Sequence, residues 1–369
     1  MSCLELRLLH DTLRFPANRL VSLADRVKRL VSTAADVVFI QARPSLALEA
    51  VAQSIARRGI TAVNVVTSPY GAWFGKWLRR GGVNVHDVFT EVGQPADLDA
   101  VSKRIELLPE VHIVACVHAE SSNGVLNPLP QIAALAHACG ALCVVDAAAS
   151  IGGHRLELDS FGIDIAVMGA QKALAGPAGI SAIAVSGRAW AHIEQTPGPA
   201  PSGLSLDALK RSSLGHGHDH DSLPGMPTSP EFWALEEALD RIEFEGIDAV
   251  IARHDRAARA SRAGLRALGV EPSVTSDAAA STLITAAPVP EGIDVVALIA
   301  HAAHKGIELD AGFGEAVGKI VRLNHTGVRA AYDVVLSNVV AYGAALAVQR
   351  IPVDIGAAAM AVTDAYAME

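Results

Sequence analysis

The chain has 369 residues, 51% of them hydrophobic, which is enough to bury a large core and predicts two domains. Its formal net charge is −9, 4% of its residues are aromatic, and its Lys and Arg residues form no run, so a nucleic-acid partner is not expected. No apolar run is long enough to span a membrane, and residues 1–20 lack the features of a signal peptide, so a cytoplasmic protein is expected.

The cysteines agree with that location. Cys3, Cys116, Cys139 and Cys143 form no CxxC pair, and three of them lie in apolar segments. Such residues are usually buried free thiols in a reducing compartment.

From residue 36 to 190, short apolar runs rich in β-branched residues alternate with helix-like stretches. The runs predict strands at 36–40, 62–66, 112–117, 142–146, 163–168 and 180–186, and helices are predicted at 45–59 and 129–140. This alternation predicts a mostly parallel sheet covered by helices on both faces. Ligands of such sheets bind beyond the carboxyl ends of the strands.

The second half of the chain has a different pattern. Residues 196–230 are rich in Pro, Gly and Ser and predict a loop, and residues 231–268 predict one long helix. Strand-like and helix-like segments then alternate, which predicts a smaller α+β domain. We therefore expect an N-terminal segment at 1–20, a large domain at 21–245 and a small domain at 246–369.

Several histidines invite a functional interpretation. The run HGHDHD (216–221) contains good metal ligands, but in a Gly-rich loop it is more typical of a solvated segment, so no metal is expected. His118 and His325 are expected to be core or supporting residues.

Three apolar runs end in polar groups of complementary chemistry. Glu120 and Ser121 follow one run, Asp146 ends the next, and Gln171 and Lys172 follow a third. An amine, a carboxylate and a hydroxyl form the set that pyridoxal phosphate requires. Each group alone has a simpler explanation, since the lysine is typical of a solvated residue, the aspartate of a helix cap and the Ser-Ser-Asn-Gly sequence of a turn.

The pattern as a whole, however, resembles a known family. Residues 118–186, from HAESSNG to ISAIAVS, resemble the class V aminotransferases of pyridoxal phosphate fold type I, nearest to the alanine/serine–glyoxylate and 2-aminoethylphosphonate–pyruvate branch. Glu120 and Asp146 are 26 residues apart, as are Asp146 and Lys172, and both intervals match the family. The resemblance implies an α/β large domain with a mostly parallel, seven-stranded-type sheet, a small C-terminal α+β domain, and a homodimer with active sites at the subunit interface.

Residue roles follow from the same resemblance. Lys172 is similar to the lysine that holds the cofactor as a Schiff base and moves the proton. Asp146 resembles the partner of the pyridinium nitrogen, Ser121 the hydroxyl beside the ring oxygen, and Gln171 a phosphate contact. Arg322 matches the arginine that binds the substrate carboxylate, to which its planar charged fork is suited.

The sequence departs from the family where the phosphate is held. Arg43 and Pro44 stand in place of flexible residues, and Pro44 removes an N–H donor, although Ser45 and Arg43 remain candidate phosphate contacts. Met226 stands where the family has a threonine, with Thr228 as a candidate substitute. One family type, pyridoxamine–pyruvate aminotransferase, uses the B6 compound as a substrate, and this alternative stays open.

The function implied is transfer of an amino group from a small amino acid or amine to a keto acid such as glyoxylate or pyruvate. Phe74, which precedes Gly75 and follows Trp73, is the expected ring-stacking aromatic. The alternatives are a lyase on the same fold and a binding protein that has lost its cofactor. A desulfurase is disfavoured because no cysteine lies in a suitable loop. The sequence does not identify the amino donor.

Overall fold

The structure, a computed structural model, describes residues 15–195, 202–213 and 230–367. Its larger sheet has seven strands in the order β1-β7-β6-β5-β4-β2-β3, and β7 alone runs antiparallel to the others. The strands are β1 (Asp36–Ile40), β2 (Thr61–Val66), β3 (Asn84–Phe89), β4 (Ile113–Val117), β5 (Leu142–Asp146), β6 (Ile165–Gly169) and β7 (Ser181–Val185). This mixed, mostly parallel sheet confirms the predicted fold class.

Helices cover both faces of this sheet. They are α1 (Ala17–Leu30), α2 (Pro44–Ile55), α3 (Pro69–Arg80), α4 (Leu98–Glu106), α5 (Leu129–Ala138), α6 (Leu158–Phe161), α7 (Gly187–Glu194), α8 (Leu206–Ser213) and α9 (Pro230–Glu245). One apolar core lies under α1, α5 and α9, and a second lies under α2, α3 and α7. Each fully buried aliphatic side chain in these cores contributes about 1.5–3 kcal/mol relative to exposure.

The six strands expected from the sequence are all present, whereas β3 was not predicted. β3 lies at the sheet edge and its residues are mostly half-buried or exposed, so it has no continuous apolar run. Strands β4, β6 and β7 are buried throughout, and these produced the clearest sequence signals.

The C-terminal part contains a three-stranded antiparallel sheet, in the order β8-β10-β9. Its elements are α10 (Ile247–Ala267), β8 (Ile284–Pro288), α11 (Val295–Ala303), β9 (Asp310–Ala311), β10 (Ile320–Asn324), α12 (Tyr332–Val348) and α13 (Ile355–Ala367). The prediction of one helix over 231–268 was wrong, because Gly246 takes a φ of +86° and separates α9 from α10.

The carboxyl ends of β1, β2, β4, β5 and β6 lie along one edge of the large sheet, because these strands are parallel. The loops that follow them therefore come together there. No helix within the described ranges is long and apolar enough to cross a membrane.

Candidate active site

Lys172 follows β6, at the edge where the parallel strands end. Its Nζ donates a hydrogen bond to Ser121 Oγ at 3.5 Å. Burial lowers the pKa of Lys172 and the charge of Arg322 lowers it further, while Asp146 opposes the change. The amine is therefore neutral more often than that of an exposed lysine.

Asp146 is the last residue of β5, the strand next to β6. Its Oδ1 accepts a hydrogen bond from the backbone N–H of Ala148 at 2.9 Å. Burial raises the pKa of Asp146 to about 6, and the Ala148 hydrogen bond and the charge of Lys172 limit that rise. The carboxyl group is ionised at neutral pH, and a cationic partner would stabilise its charge.

A buried hydrogen-bond network supports the loop after β4. Thr67 Oγ1 donates to Glu120 Oε1 at 2.6 Å, and Asn127 Nδ2 donates to Thr67 Oγ1 at 2.8 Å. Burial raises the pKa of Glu120 to about 7, against the effect of hydrogen bonds from Ser68 and Thr67. These partners fix the backbone next to Ser121, because breaking such a network leaves buried polar groups unpaired.

Arg322, on β10 of the smaller sheet, reaches across to the same loop. Its Nη1 donates to the carbonyl oxygen of Ser121 at 3.0 Å and its Nε donates to that of Ala311 at 2.9 Å. Asp310 Oδ2 lies 3.8 Å from Arg322 Nη2. Ser121 is thus in contact with both the amine and the guanidinium group.

Two cavities meet at Lys172, because Ser121, Gln171 and Lys172 line both of them. The first has a volume of about 250 Å³ and the second about 340 Å³. Residues lining the first include Arg43, Ser45, Tyr70, Trp73, Trp77, Asp146 and Ala148. Residues lining the second include Arg322, Asn324, Thr326 and Arg329. The amine therefore lies between a compartment containing Asp146 and one containing Arg322.

Of the residues that line the first cavity, Arg43 and Ser45 lie at the start of α2, and Gln171 follows β6. Helix α2 begins with Pro44, and its N-cap residue Arg43 makes no side-chain cap hydrogen bond. Gln171 Oε1 is buried without a hydrogen-bond partner. An unpartnered amide, an uncapped helix start and nearby hydroxyl and guanidinium groups suit a polar ligand, so the residues present fit pyridoxal phosphate.

The aromatic side chains of the first cavity are Tyr70, Trp73 and Trp77, and Phe74 is absent from its lining. Phe74 is 5% exposed and packs in the core beneath α3, with one side towards a small cavity that Asp146 also lines. Burial raises the pKa of Tyr70, while a hydrogen bond with Ser121 and the charge of Arg322 oppose the rise. Tyr70, which the sequence analysis did not single out, lines this cavity, whereas Phe74 does not.

A turn after β10 packs against the backbone of Lys172. A Cβ added at Gly327 would lie 2.9 Å from the carbonyl oxygen of Lys172. The N–H of Gly327 donates to His254 Nε2 at 2.9 Å, and its carbonyl oxygen accepts from Arg253 Nη1 at 2.7 Å. Since His254 Nδ1 contacts the carbonyl of Val250 at 2.8 Å, its ring is the neutral tautomer that accepts at Nε2.

His118 and His325 are both buried. Burial lowers the pKa of His118 to about 4 and that of His325 to about 3, so both are neutral. Within the described ranges, no group of three His, Cys, Asp or Glu side chains is arranged to hold a metal ion. Thr228, Met226 and the run 216–221 lie outside the described residues.

Comparison with known proteins agrees with this geometry. Residues 18–334 match the model of the aminotransferase class-V family. A pyridoxamine–pyruvate transaminase of Mesorhizobium japonicum is 33% identical over 352 residues, which cover 93% of this chain and 88% of that protein.

Solved structures of aminotransferases are also similar to this chain. The crystal structure of pyridoxamine–pyruvate aminotransferase from Mesorhizobium loti superposes with a TM-score of 0.90 at 29% identity, covering 99% of this chain and 94% of that one. Ureidoglycine–glyoxylate aminotransferase from Bacillus subtilis gives a TM-score of 0.89 at 25% identity, covering 100% and 95%. The chain belongs to the class-V aminotransferases and is a transaminase whose cofactor is pyridoxal phosphate.

Proposed function

We propose that this enzyme transfers an amino group from a small amino acid or amine to a 2-oxo acid such as pyruvate or glyoxylate. The observation that carries the proposal is the position of Lys172, between a compartment containing Asp146 and one containing Arg322. The similarity to a pyridoxamine–pyruvate transaminase and to a ureidoglycine–glyoxylate aminotransferase also supports it.

Lys172 is the proposed catalytic residue. Bound pyridoxal phosphate supplies an electron sink and a carbonyl group to which the Lys172 amine attaches. With cofactor and substrate bound, the Lys172 amine would take the proton from the substrate's α-carbon and deliver it to the cofactor's aldehyde carbon, on the other side of the amino nitrogen. Its lowered pKa favours this task, because a general base must be neutral when it accepts the proton.

Asp146 and Ser121 are proposed to orient the cofactor. The Asp146 carboxylate would accept a hydrogen bond from the protonated ring nitrogen, and that positive charge would keep the carboxyl group ionised. The Ser121 hydroxyl, which is 3.5 Å from Lys172 Nζ, would donate to the phenolic oxygen of the ring. Tyr70 would cover one face of the ring.

Arg322 is proposed to bind the substrate carboxylate. Its guanidinium group is held by two backbone carbonyl oxygens, which a carboxylate would outcompete because it carries a full charge. This exchange would place the substrate's α-carbon next to Lys172.

At the phosphate end, Gln171, Ser45 and Arg43 are the proposed contacts, with Thr228 as a further candidate. The first three line the cavity that Asp146 also lines. The start of α2 has fewer free N–H donors than an ordinary helix start because of Pro44.

The proposal is tested by following half-reactions spectroscopically. The purified protein, loaded with pyridoxal phosphate, is mixed with individual amino donors, and conversion of the bound cofactor to its pyridoxamine form is recorded. Adding pyruvate or glyoxylate should then restore the original spectrum. Release of ammonia, or elimination products without any pyridoxamine form, would instead indicate a lyase and contradict the proposal.

A second candidate function is pyridoxamine–pyruvate transamination, in which the B6 compound is the substrate. The specific observation favouring it is Pro44 at the start of α2, together with the 33% identity to an enzyme of that name. Incubating the cofactor-free protein with pyridoxamine and pyruvate, and measuring pyridoxal and alanine, distinguishes the two. Turnover that requires added pyridoxal phosphate would contradict this candidate.

We also propose a cytoplasmic homodimer built from an N-terminal segment (1–20), a large domain (21–245) and a small domain (246–369). Leu46, next to Ser45 at the start of α2, is 40% exposed, which is compatible with a partner subunit covering this part of the surface. Analytical ultracentrifugation of the loaded enzyme should give twice the monomer mass of 38.3 kDa. A monomer at micromolar concentration would refute the dimer.

A further inference from the structure

Three aromatic side chains from two parts of the chain pack together beside the first cavity. Tyr70 and Trp73 line that cavity, and Phe313 packs against both of them. The ring centroids of Tyr70 and Trp73 lie 5.6 Å apart, and that of Phe313 lies 5.8 Å from Tyr70 and 5.7 Å from Trp73. These separations are typical of favourable aromatic pairs. We refer to Tyr70, Trp73 and Phe313 as the aromatic wall.

The turn that carries Phe313 lies next to Arg322. Phe313 lies between β9 and β10, two residues beyond Ala311, whose carbonyl oxygen accepts a hydrogen bond from Arg322 Nε at 2.9 Å. The next residue, Gly314, takes a φ of +64°, and a Cβ added there would collide with Pro69 at the start of α3. This close approach docks the turn that carries Phe313 onto the helix that carries Tyr70 and Trp73.

We propose, on the basis of the aminotransferase function above, that the aromatic wall selects substrates with an apolar side chain. The enzyme would prefer pyruvate and 2-oxobutyrate, or the corresponding amino acids, to glyoxylate, and would reject dicarboxylates such as oxaloacetate. The wall thereby decides between the 2-oxo acids that the proposed function leaves open.

The physical argument starts from the position of a bound substrate. When the substrate's carboxylate binds Arg322 and its α-carbon faces Lys172, the substrate's side chain would lie next to the aromatic wall. Two members of the wall, Tyr70 and Trp73, line the same cavity as Lys172. Trp73 and Phe313 are each 37% exposed, so an apolar side chain removes both aromatic and aliphatic surface from water.

A second carboxylate on the substrate would be poorly placed in the same position. It would lose its water against the aromatic rings, and it would approach Asp310, whose carboxylate is 3.8 Å from Arg322 Nη2. Burying a charge without a partner is costly, so the wall excludes acidic side chains as well as favouring apolar ones.

The experiment measures kcat/KM of the loaded enzyme for pyruvate, 2-oxobutyrate, glyoxylate and oxaloacetate with one amino donor. We expect 2-oxobutyrate and pyruvate to exceed glyoxylate by about tenfold, the lower bound for one methylene in an apolar pocket, and oxaloacetate to be poorest. Phe313→Ala should remove most of this preference, and Phe313→Leu should retain part of it. Phe244→Ala, at a side chain 95% exposed at the end of α9, is the control and should not change the ratios.

Binding provides a readout that does not depend on turnover. Calorimetric titration of the loaded enzyme with acetate, propionate, butyrate and succinate should give affinities that rise along the monocarboxylates and fall for succinate. Phe313→Ala should flatten the series while acetate binding stays within about twofold, since its carboxylate contact is intact.

The outcomes separate this inference from the function on which it rests. If no keto acid and donor support transamination, the proposed function fails. If transamination occurs but glyoxylate or oxaloacetate is preferred, or if Phe313→Ala leaves the substrate ratios unchanged, the role of the aromatic wall is refuted and the proposed function stands.

Discussion

The two ends of the first cavity are built in different ways. At the Lys172 end, the amine, the Asp146 carboxylate and the Ser121 hydroxyl follow three parallel strands, and a buried network under Glu120 holds the loop. At the phosphate end, Arg43 and Ser45 are exposed and α2 begins with a proline that has no N–H to donate.

This difference suggests that the two ends are under different constraints. Chemistry at the Lys172 end requires groups placed within a fraction of an ångström, and interior strands supply that precision. Holding a phosphate requires only charge and hydrogen-bond donors, which several arrangements satisfy. We therefore expect mutations at the Lys172 end to affect rate strongly and mutations at the phosphate end to affect cofactor affinity mildly.

The largest effect is expected for Lys172→Ala, which removes the base. We expect kcat to fall by about 10²–10⁴-fold, the usual contribution of a positioned general base, and the visible absorbance of the lysine-bound cofactor to disappear. Lys305→Ala, at an exposed lysine after α11, serves as the matched control. Retention of that absorbance in the Lys172 variant would disprove the assignment.

Replacing Arg322 comes next, because it tests the other compartment. Arg322→Lys keeps the charge but loses the planar fork, so KM for the keto acid should rise by about 10-fold or more, with a smaller change in kcat. Steady-state kinetics and cofactor absorbance measured together check this. Arg104→Lys, at an exposed position on α4, is the control, and an unchanged KM in the Arg322 variant would show that the carboxylate binds elsewhere.

The pH dependence of cofactor affinity tests Asp146. Its pKa is raised to about 6, so lowering the pH through that value protonates the carboxyl group and removes the charge that would pair with the ring nitrogen. Affinity should therefore be full above about pH 7 and fall below pH 6. Asp146→Asn should bind the cofactor about 10-fold more weakly at pH 7.5 and lose the Asp146 component of the pH dependence. An identical pH profile in the variant would rule out this carboxyl group as its source.

The smallest effect is expected at Arg43. Because its side chain is exposed, Arg43→Ala should weaken pyridoxal phosphate binding by only about two- to fivefold and leave pyridoxal binding unchanged. Pro44→Ala restores an N–H at the start of α2 and should strengthen phosphate binding. Fluorescence titrations with both B6 compounds measure the two effects, and equal changes for pyridoxal would mean that these residues do not contact the phosphate.

The sequence was most informative about site residues that lie at the ends of buried strands. Lys172, Asp146 and Ser121 lie at or just after the ends of buried apolar runs, so their meeting at one sheet edge was predictable. The motif around Arg322 predicted a place in the same site, and Arg322 does contact the loop that carries Ser121. The aromatic position was not predictable, because the stretch 70–75 contains two aromatic–glycine pairs. In the structure Tyr70, Trp73 and Trp77 of α3 line the first cavity, whereas Phe74 is buried and lines the small neighbouring cavity.

Other features depend on tertiary contacts that no local pattern reports. The half-exposed edge strand β3 has no apolar run, and the separation of α9 from α10 depends on the backbone conformation of one glycine within a helix-like pattern. The aromatic wall joins residues more than 200 positions apart, so it became visible only in the folded chain.

The contact between Gly327 and Lys172 has a consequence for how this enzyme tolerates sequence change. A β-carbon at residue 327 would press on the carbonyl oxygen of Lys172, so a larger residue there would displace the backbone that carries the reactive amine. Arg253 and His254 of α10 hold this turn through hydrogen bonds to Gly327. A substitution in α10, far along the chain from Lys172, can thus lower the reaction rate although α10 contacts none of the reacting atoms. Substitutions in the C-terminal region are therefore constrained by the reaction at Lys172, which lies in the N-terminal region.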